Sequence, residues 1–162
     1  MEERQERSGG TFGDAPVNCA LDASVLVAAA RPQEEHSPAS VTFLEQTTER
    51  GVWFFCPVIV LPECAAAIAR ATGSGHYAAR TVGEIYRLPR LRLIDVDRRL
   101  ADRAAQIAMA HRIRGADSLY ASVAEAFDAE LVTWDAEMLE RAPAVVPTMT
   151  PADWLAEHAA RA

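Results

Sequence analysis

The sequence predicts an α/β fold in which a parallel sheet is covered by helices on both faces. Short apolar runs typical of buried strands alternate with longer alanine-rich or amphipathic stretches typical of helices. This alternation favours a parallel sheet, since parallel strands need a long crossover connection that is usually a helix. The chain has 162 residues, of which 50% are hydrophobic, enough for one ordinary domain with a full core.

The amino-terminal half of the chain contains two predicted strands and several helices. The first strand covers Val17–Leu21 and leads directly into a helix that Arg31-Pro32 ends, because the residue before a proline disfavours helical geometry. A second helix opens at Ser37-Pro38, with the serine as N-cap and the proline in the first turn, and Gly51 stops it. A buried strand at Val52–Cys56 then precedes a long alanine-rich helix.

The carboxyl-terminal half continues the same alternation. The segment Gly73-Ser-Gly75 separates two helices, and Leu91–Ile94 is the next predicted strand. Asp97 caps a long amphipathic helix, and Gly115 stops it. Two further strands and a terminal helix are predicted at Glu130–Trp134, around Val145-Val146 and from Pro151.

Composition limits the classes of protein to which this chain can belong. The longest uncharged apolar runs, such as Gly51–Leu61, are well short of the roughly 20 residues that span a bilayer. Residues 1–15 are charged and then glycine-rich, which argues against a secretory signal, so we expect a flexible tail, one domain at residues 16–160 and a cytoplasmic protein. The cysteines have no zinc-type spacing and are interpreted as reduced core thiols, although Cys19 and Cys56 lie on strands that could be neighbours.

The charge of the chain is acidic, and its basic residues are all arginine. A net charge of −7 argues against a protein held on nucleic acid mainly by charge. The absence of lysine excludes sites that require one, such as a Walker A phosphate loop or a Schiff base. Residues 80–103 hold seven arginines against four acids. This cluster fits either a solvated helical face or a surface that binds phosphate or a partner.

Four carboxylates occur where a strand is predicted to end or a helix to begin. Asp22 and Asp135 follow strands, whereas Glu63 and Asp117 open alanine-rich helices. The carboxyl ends of parallel strands share one edge of a sheet, so fold logic brings these acids to a common edge. Like charges about 4 Å apart repel by roughly 4 kcal/mol at an effective dielectric constant of 20. Such a cluster therefore calls for a divalent cation or partial protonation.

Structural roles are also open for the same residues. Asp22 has the position of a helix N-cap, Asp135 that of a turn residue, and Glu63 and Asp117 the positions of first-turn acids that complement a helix dipole. Ser24 fits an ordinary first-turn serine, and Thr133 an ordinary strand residue. Trp134 is suited either to packing at the rim of the core or to stacking on a base.

The motifs around these acids resemble those of the PIN-domain ribonucleases, and in particular the VapC-type toxins of bacterial toxin-antitoxin pairs. The resemblance is carried by LDASVLV from Leu21, VLPE ending at Glu63, GADSLYAS from Gly115 and LVTWD ending at Asp135. The motifs occur in register over nearly the whole chain from about Val17 to His158. The tail before Val17 is longer than these compact toxins usually carry.

The resemblance implies a metal-dependent endoribonuclease with a central parallel sheet in the order 3-2-1-4-5 and an α/β/α arrangement. It implies a homodimer, silenced by a cognate antitoxin protein, that hydrolyses RNA with a metal-activated water. Mg²⁺ or Mn²⁺ would be bound by Asp22, Glu63, Asp117 and Asp135, with Ser24 and Thr133 as hydrogen-bond partners behind them. Arg112 and Arg114, beside Asp117, are the candidate contacts to RNA phosphate.

Two other classes of function are alternatives to the nuclease. The first is a non-catalytic PIN-like module that binds RNA or protein and uses the acids only as a structural ion site. The second is a phosphatase or receiver-like phosphoacceptor, which also has acids at strand ends. It is disfavoured because residue 24 is a serine, not a second aspartate, and because no lysine is present.

Overall fold

The structure is a computed structural model, and it describes residues 17–159. The predicted tail at residues 1–15 lies outside the described residues. The strands are β1 Asn18–Leu21, β2 Phe54–Pro57, β3 Leu91–Ile94, β4 Ala129–Val132 and β5 Thr148–Met149. They form one parallel sheet in the order β3-β2-β1-β4-β5, which confirms the α/β class and the strand order that the resemblance implies.

Helices connect the strands and cover the sheet. They are α1 Ala23–Ala30, α2 Ser37–Glu49, α3 Val60–Thr72, α4 Gly75–Tyr86, α5 Arg98–His111, α6 Gly115–Ala126, α7 Ala136–Arg141 and α8 Pro151–His158. A short 3-10 helix covers Ala142–Ala144. None of the helices in residues 17–159 is long and apolar enough to cross a membrane.

Adjacent phenylalanines of β2 indicate which helices lie on each face of the sheet. Phe54 packs against Phe43 of α2, with ring centroids 6.4 Å apart. Phe55 stacks on Phe127, at the end of α6, with centroids 4.5 Å apart. Successive residues of a strand point to opposite faces, so α2 and α6 cover opposite faces of the sheet. The central strands β1, β2 and β4 are therefore buried on both sides, which explains their largely apolar sequences, whereas the edge strands β3 and β5 are only partly buried.

The cysteines belong to this core. Cys19, Cys56 and Cys64 are all buried and free, which confirms their interpretation as reduced thiols. Burial raises the pKa of the Cys64 thiol to about 12, so this thiol stays protonated and is a poor nucleophile. The bridge that neighbouring strands would allow between Cys19 and Cys56 is not formed.

The fifth strand and the start of α2 differ from the prediction. The Val145-Val146 pair forms no strand, because it lies between the 3-10 helix and Pro147 and follows the turn. Pairing begins only at Pro147, whose carbonyl accepts a hydrogen bond from Leu131 N at 2.8 Å, so β5 starts at Thr148. Ser37 is the first residue of α2 and not its N-cap, and no side chain caps this helix.

The register between the two central strands determines what meets at the carboxyl edge. Leu21 pairs with Val132, and Asp22 N donates to the carbonyl of Val132 at 3.1 Å. Asp22 and Thr133 are therefore the first residues beyond the ends of β1 and β4. Both lie at the edge where parallel α/β sheets carry their binding sites.

Candidate functional site

Asp22 is held at the bend between β1 and α1 by hydrogen bonds to one of its two carboxylate oxygens. Its Oδ2 accepts from Ser24 Oγ at 2.5 Å, from Thr133 Oγ1 at 2.9 Å and from Ser24 N at 3.3 Å. The residue is 6% exposed. Its Oδ1 accepts no hydrogen bond from the described part of the chain. One oxygen therefore fixes the carboxylate, and the other is available to bind a cation.

Thr133 and Ser24 join the two bends at the carboxyl edge. Thr133 is fully buried, and its hydroxyl donates to Asp22 while accepting from Asp135 N at 3.0 Å. The Ser24 hydroxyl donates to Asp22 and accepts from Trp134 N at 3.0 Å. Each hydroxyl therefore uses its hydrogen on Asp22 and its lone pairs on the β4–α7 bend. Both side chains have contacts of the kind expected of hydrogen-bond partners behind a ligand.

Glu63 reaches the same edge from the first turn of α3. Its Oε2 accepts a hydrogen bond from the hydroxyl of Tyr120, a buried residue of α6. Burial raises the pKa of Glu63, and the negative charges of Asp22 and Asp117 raise it further, although the Tyr120 hydrogen bond and Arg114 act in the opposite direction. Sequence reasoning did not find this role of Tyr120. The sequence does place Tyr120 three residues after Asp117. Because residues three apart share a helix face, this spacing indicates that Tyr120 lies on the same side of α6 as Asp117.

Arg114 forms ion pairs with both remaining acids. Its Nε lies 2.6 Å from Asp117 Oδ2, and one terminal nitrogen lies 2.6 Å from Asp135 Oδ2. Burial raises the pKa of Asp117, and Asp22 and Asp135 add to this, despite the opposing effect of Arg114. Burial also acts to raise the pKa of Asp135, but hydrogen bonds from Met138 N and Arg114 outweigh it and lower that pKa.

The four carboxylates lie near one another at the carboxyl edge, and together they are called the acidic site below. Their proximity is seen in their pKa values, because the charge of Asp22 raises the pKa of both Glu63 and Asp117. Among residues 17–159, however, no three Asp, Glu, His or Cys side chains are arranged closely enough to hold a metal ion. Each acid instead accepts hydrogen bonds from the protein. Two hydroxyls donate to Asp22, the Tyr120 hydroxyl donates to Glu63, and the Arg114 guanidinium is shared by Asp117 and Asp135.

The chemistry of the donor set nevertheless suits Mg²⁺ or Mn²⁺. All four side chains offer hard carboxylate oxygens, which these ions prefer. Asp22 Oδ1, Glu63 Oε1 and Asp117 Oδ1 accept no hydrogen bond from residues 17–159, although each is the second oxygen of a carboxylate that is otherwise fixed. Burial, with a smaller contribution from the neighbouring negative charges, raises the pKa of Glu63 and of Asp117, so a cation bound there would favour their ionised forms.

The arginines predicted to contact RNA have different surroundings. The helix predicted to run to about Arg112 ends at His111, with Arg112 as its C-cap in a left-handed conformation, φ 56°. Gly115, predicted as the stop, is the first residue of α6. The Arg112 side chain forms no ion pair within the described residues, and its carbonyl accepts a hydrogen bond from Arg141. Arg114, in contrast, is engaged by the acidic site and is not free for phosphate as it stands.

Trp134 has a packing role beside the site. Its ring stacks on His36 with centroids 4.0 Å apart, and its Nε1 donates to Ser40 Oγ at 2.8 Å. These contacts attach the β4–α7 bend to the start of α2. The packing interpretation of this residue is therefore confirmed.

Comparison with known proteins identifies the family. The model of the PIN domain matches residues 19–144, and this chain belongs to the PIN-domain family. No curated protein matches the chain. The matched range includes every member of the acidic site.

Solved structures share the fold at low sequence identity. VapC20 from Mycobacterium tuberculosis, described as a sarcin-ricin loop cleaving toxin, is 15% identical with a TM-score of 0.65, over 76% of this chain and 94% of that chain. VapBC2 from Rickettsia felis, bound to a promoter DNA fragment, is 19% identical with a TM-score of 0.63, over 82% and 97%. A toxin-antitoxin complex from Klebsiella pneumoniae is 16% identical with a TM-score of 0.60, over 83% and 98%.

We expect Thr133→Val to destabilise the protein by about 1–3 kcal/mol. The change keeps the shape of a fully buried side chain but removes the donor to Asp22 and the acceptor for Asp135 N. Thr133→Ser keeps the hydroxyl and should recover most of the loss. Urea denaturation of both variants measures this, and equal stability of Thr133→Val and wild type would contradict the hydrogen-bond network.

We expect Glu63→Gln to stabilise the protein at neutral pH in the presence of EDTA, by up to about 1 kcal/mol because solvent screens a partly exposed carboxyl. The pKa of Glu63 is raised in the fold, so its contribution to stability is full at acidic pH and is lost as the pH rises through the folded pKa. Glutamine stays neutral and still accepts from Tyr120. The gain should therefore vanish near pH 4.

The matched control is Glu45→Gln, which makes the same change of residue on the exposed side of α2. Thermal melts of the three proteins between pH 4 and 8 make the comparison. A Glu63→Gln variant that is less stable than wild type at pH 7 would contradict a raised pKa of Glu63 in the folded protein.

Proposed function

We propose that this chain is a metal-dependent endoribonuclease that hydrolyses RNA phosphodiester bonds. The observation that carries the proposal is the convergence of Asp22, Glu63, Asp117 and Asp135 at the carboxyl edge of a PIN-family sheet. Structural needs alone do not account for it, since burial and the neighbouring negative charges raise the pKa of Glu63 and of Asp117, which opposes folding at neutral pH. A binding function for a cation explains why they are together.

A bound Mg²⁺ or Mn²⁺ would supply charge neutralisation at the phosphate and a more acidic water. Asp22 and Asp135 are the first ligands that we assign, because hydrogen bonds hold both side chains at the carboxyl ends of the central strands. Asp22 is fixed through its Oδ2, whereas Asp135 accepts from Met138 N at Oδ1 and from Arg114 at Oδ2. Asp117 lies beside them and offers a further oxygen. Ser24 and Thr133 keep Asp22 in position through its Oδ2.

Glu63 is suited to handling a proton in the reaction. Burial raises its pKa above the usual range of a carboxyl, which makes Glu63 a stronger base than an exposed glutamate. The hydroxyl of Tyr120 fixes one of its oxygens, which leaves the other to accept a proton from the attacking water. Hydrolysis then requires no lysine or histidine at the site, consistent with a chain that contains no lysine.

The biological setting that we propose is that of a toxin with a cognate antitoxin. Support comes from the similar structures, which include a toxin-antitoxin complex and a toxin described as cleaving the sarcin-ricin loop. We further propose a cytoplasmic homodimer, as the resemblance to VapC-type toxins implies. An antitoxin would silence the enzyme by binding to it.

A non-catalytic PIN-like module that binds RNA or protein is the second candidate. It is favoured by one observation, namely that Arg114 already neutralises Asp117 and Asp135 without any ion. On this alternative the acids are part of a structural ion site. Magnesium would then raise the unfolding temperature, yet no RNA would be cut.

We expect Asp22→Asn to abolish RNA cleavage while the protein stays folded, because a neutral amide is a much weaker ligand for a dication. The matched control is Asp97→Asn, since Asp97 is also an N-cap aspartate, with Leu100 N 2.8 Å from its Oδ1, and is exposed. Asparagine is as good an N-cap as aspartate, so the Asp97→Asn protein should keep the helix and should cleave RNA like wild type. Cleavage of a fluorescent RNA, with circular dichroism to verify folding, distinguishes the two variants.

Removal of the metal gives the second arm of this test. EDTA should stop cleavage, and added Mg²⁺ or Mn²⁺ should restore it. Cleavage that persists in Asp22→Asn or in EDTA would remove the metal-dependent mechanism. An inactive but Mg²⁺-stabilised wild type would support the non-catalytic module.

We expect Arg112→Glu to weaken RNA binding by about tenfold at low salt, because an unpaired cation beside the site would become an anion. The control is Arg92→Glu, the same charge change on β3, near the amino ends of the strands, where Arg92 lies 5.2 Å from the ring of Trp53. Fluorescence anisotropy with the inactive Asp22→Asn background measures binding without cleavage. An equal loss of RNA affinity in Arg112→Glu and Arg92→Glu would mean that binding depends on the net charge of the protein and not on the position of Arg112.

A further inference from the structure

Arg114 is the cation of the acidic site. Among residues 17–159, no other arginine or histidine nitrogen lies within 4.0 Å of any of the four carboxylates. Its Nε and one terminal nitrogen each lie 2.6 Å from a different aspartate, so one guanidinium bridges Asp117 and Asp135. Two-point binding of this kind uses the rigid fork of arginine and is not available to a single ammonium group.

This bridge uses oxygens that a metal ion would need. Asp135 Oδ2 faces Arg114, and its Oδ1 accepts from Met138 N at 2.9 Å, so both oxygens of this carboxylate already have donors. Asp117 has one oxygen on Arg114. A dication bound to both aspartates would also stand close to the guanidinium, and two cations on the same oxygens repel each other.

The guanidinium is free to leave. The Arg114 side chain is 59% exposed, whereas those of Asp117 and Asp135 are 15% and 29% exposed. Exposed ion pairs of this kind stabilise a protein little, so their loss is tolerated. Glu137 Oε2 lies 4.0 Å from Arg114 Nε and provides a second carboxylate onto which the side chain can move.

We propose that Arg114 is an internal counter-ion that competes with the divalent metal for Asp117 and Asp135. It neutralises these aspartates in the metal-free protein and is displaced when a dication binds. The inference rests on the proposed function for the presence of that dication. It adds that this chain has a built-in competitor, so that its metal affinity is lower than its four acids alone would give.

The test is direct titration of the full chain with Mn²⁺ in the absence of RNA, followed by electron paramagnetic resonance of the free ion. We expect Arg114→Gln to bind Mn²⁺ about five- to tenfold more tightly than wild type, the range that two partly exposed ion pairs can supply. Arg114→Lys keeps the charge without the fork and should fall between the two. Arg112→Gln removes the same charge two residues away, outside the bridge, and should change the affinity less than about twofold.

Thermal melts separate competition from a merely structural role. In EDTA, Arg114→Gln should melt below wild type, because Asp117 and Asp135 lose their counter-ion. In saturating Mn²⁺ the difference in unfolding temperature should disappear or reverse, since the ion then neutralises both aspartates. A deficit of the same size in both conditions would overturn the proposal.

The titration also distinguishes failure of the competition by Arg114 from failure of the proposed metal-dependent function. Equal Mn²⁺ affinities of wild type and Arg114→Gln would overturn the competition and leave the metal-dependent nuclease standing. If neither folded protein binds Mn²⁺, both the competition and the metal dependence are wrong. Tighter binding in Arg112→Gln to the same degree as in Arg114→Gln would also overturn the inference, because it would reduce the effect to net charge.

Discussion

Electrostatic crowding at the carboxyl edge of the sheet is the constraint on which the rest of this structure depends. Four acids from different parts of the chain meet there, and the fold provides each with a donor. The hydroxyls that hold Asp22 also tie the bend after β1 to the bend after β4, so the same contacts that compensate charge fix the geometry of the edge. Stability and site geometry are thus properties of one hydrogen-bond network.

The sequence predicts the fold and the edge of the sheet that carries the acids better than it predicts the side-chain contacts of those acids. Alternating apolar and helical stretches give the α/β class, and an acid directly after a strand falls at the carboxyl edge whatever the detailed packing. Fold logic therefore locates Asp22 and Asp135. The pairing of Tyr120 with Glu63 joins residues 57 positions apart, and no local pattern specifies it. The Val145-Val146 pair is apolar and β-branched, yet it lies between the 3-10 helix and Pro147, so β5 begins only at Thr148.

Arg114 illustrates why an arginine near an acid in the sequence has no unique interpretation. Sequence reasoning assigned it to phosphate, whereas the structure pairs it with Asp117 and Asp135. The two roles are compatible if the guanidinium changes partner, since a dication that takes the aspartates releases an arginine next to the substrate. In a chain of net charge −7, such an exchange would provide positive charge at the site only when the metal is in place.

The central claim is that these four carboxylates form one cation site. Its most direct test is a crystal structure of the protein soaked in Mn²⁺, in which anomalous scattering locates the ion independently of any refined side chain. The account predicts a peak within about 2–2.3 Å of oxygens from Asp22 and from at least one of Asp117 and Asp135, with Arg114 moved away. A fully bound ion elsewhere on the molecule, with the Arg114 bridge intact, would contradict it.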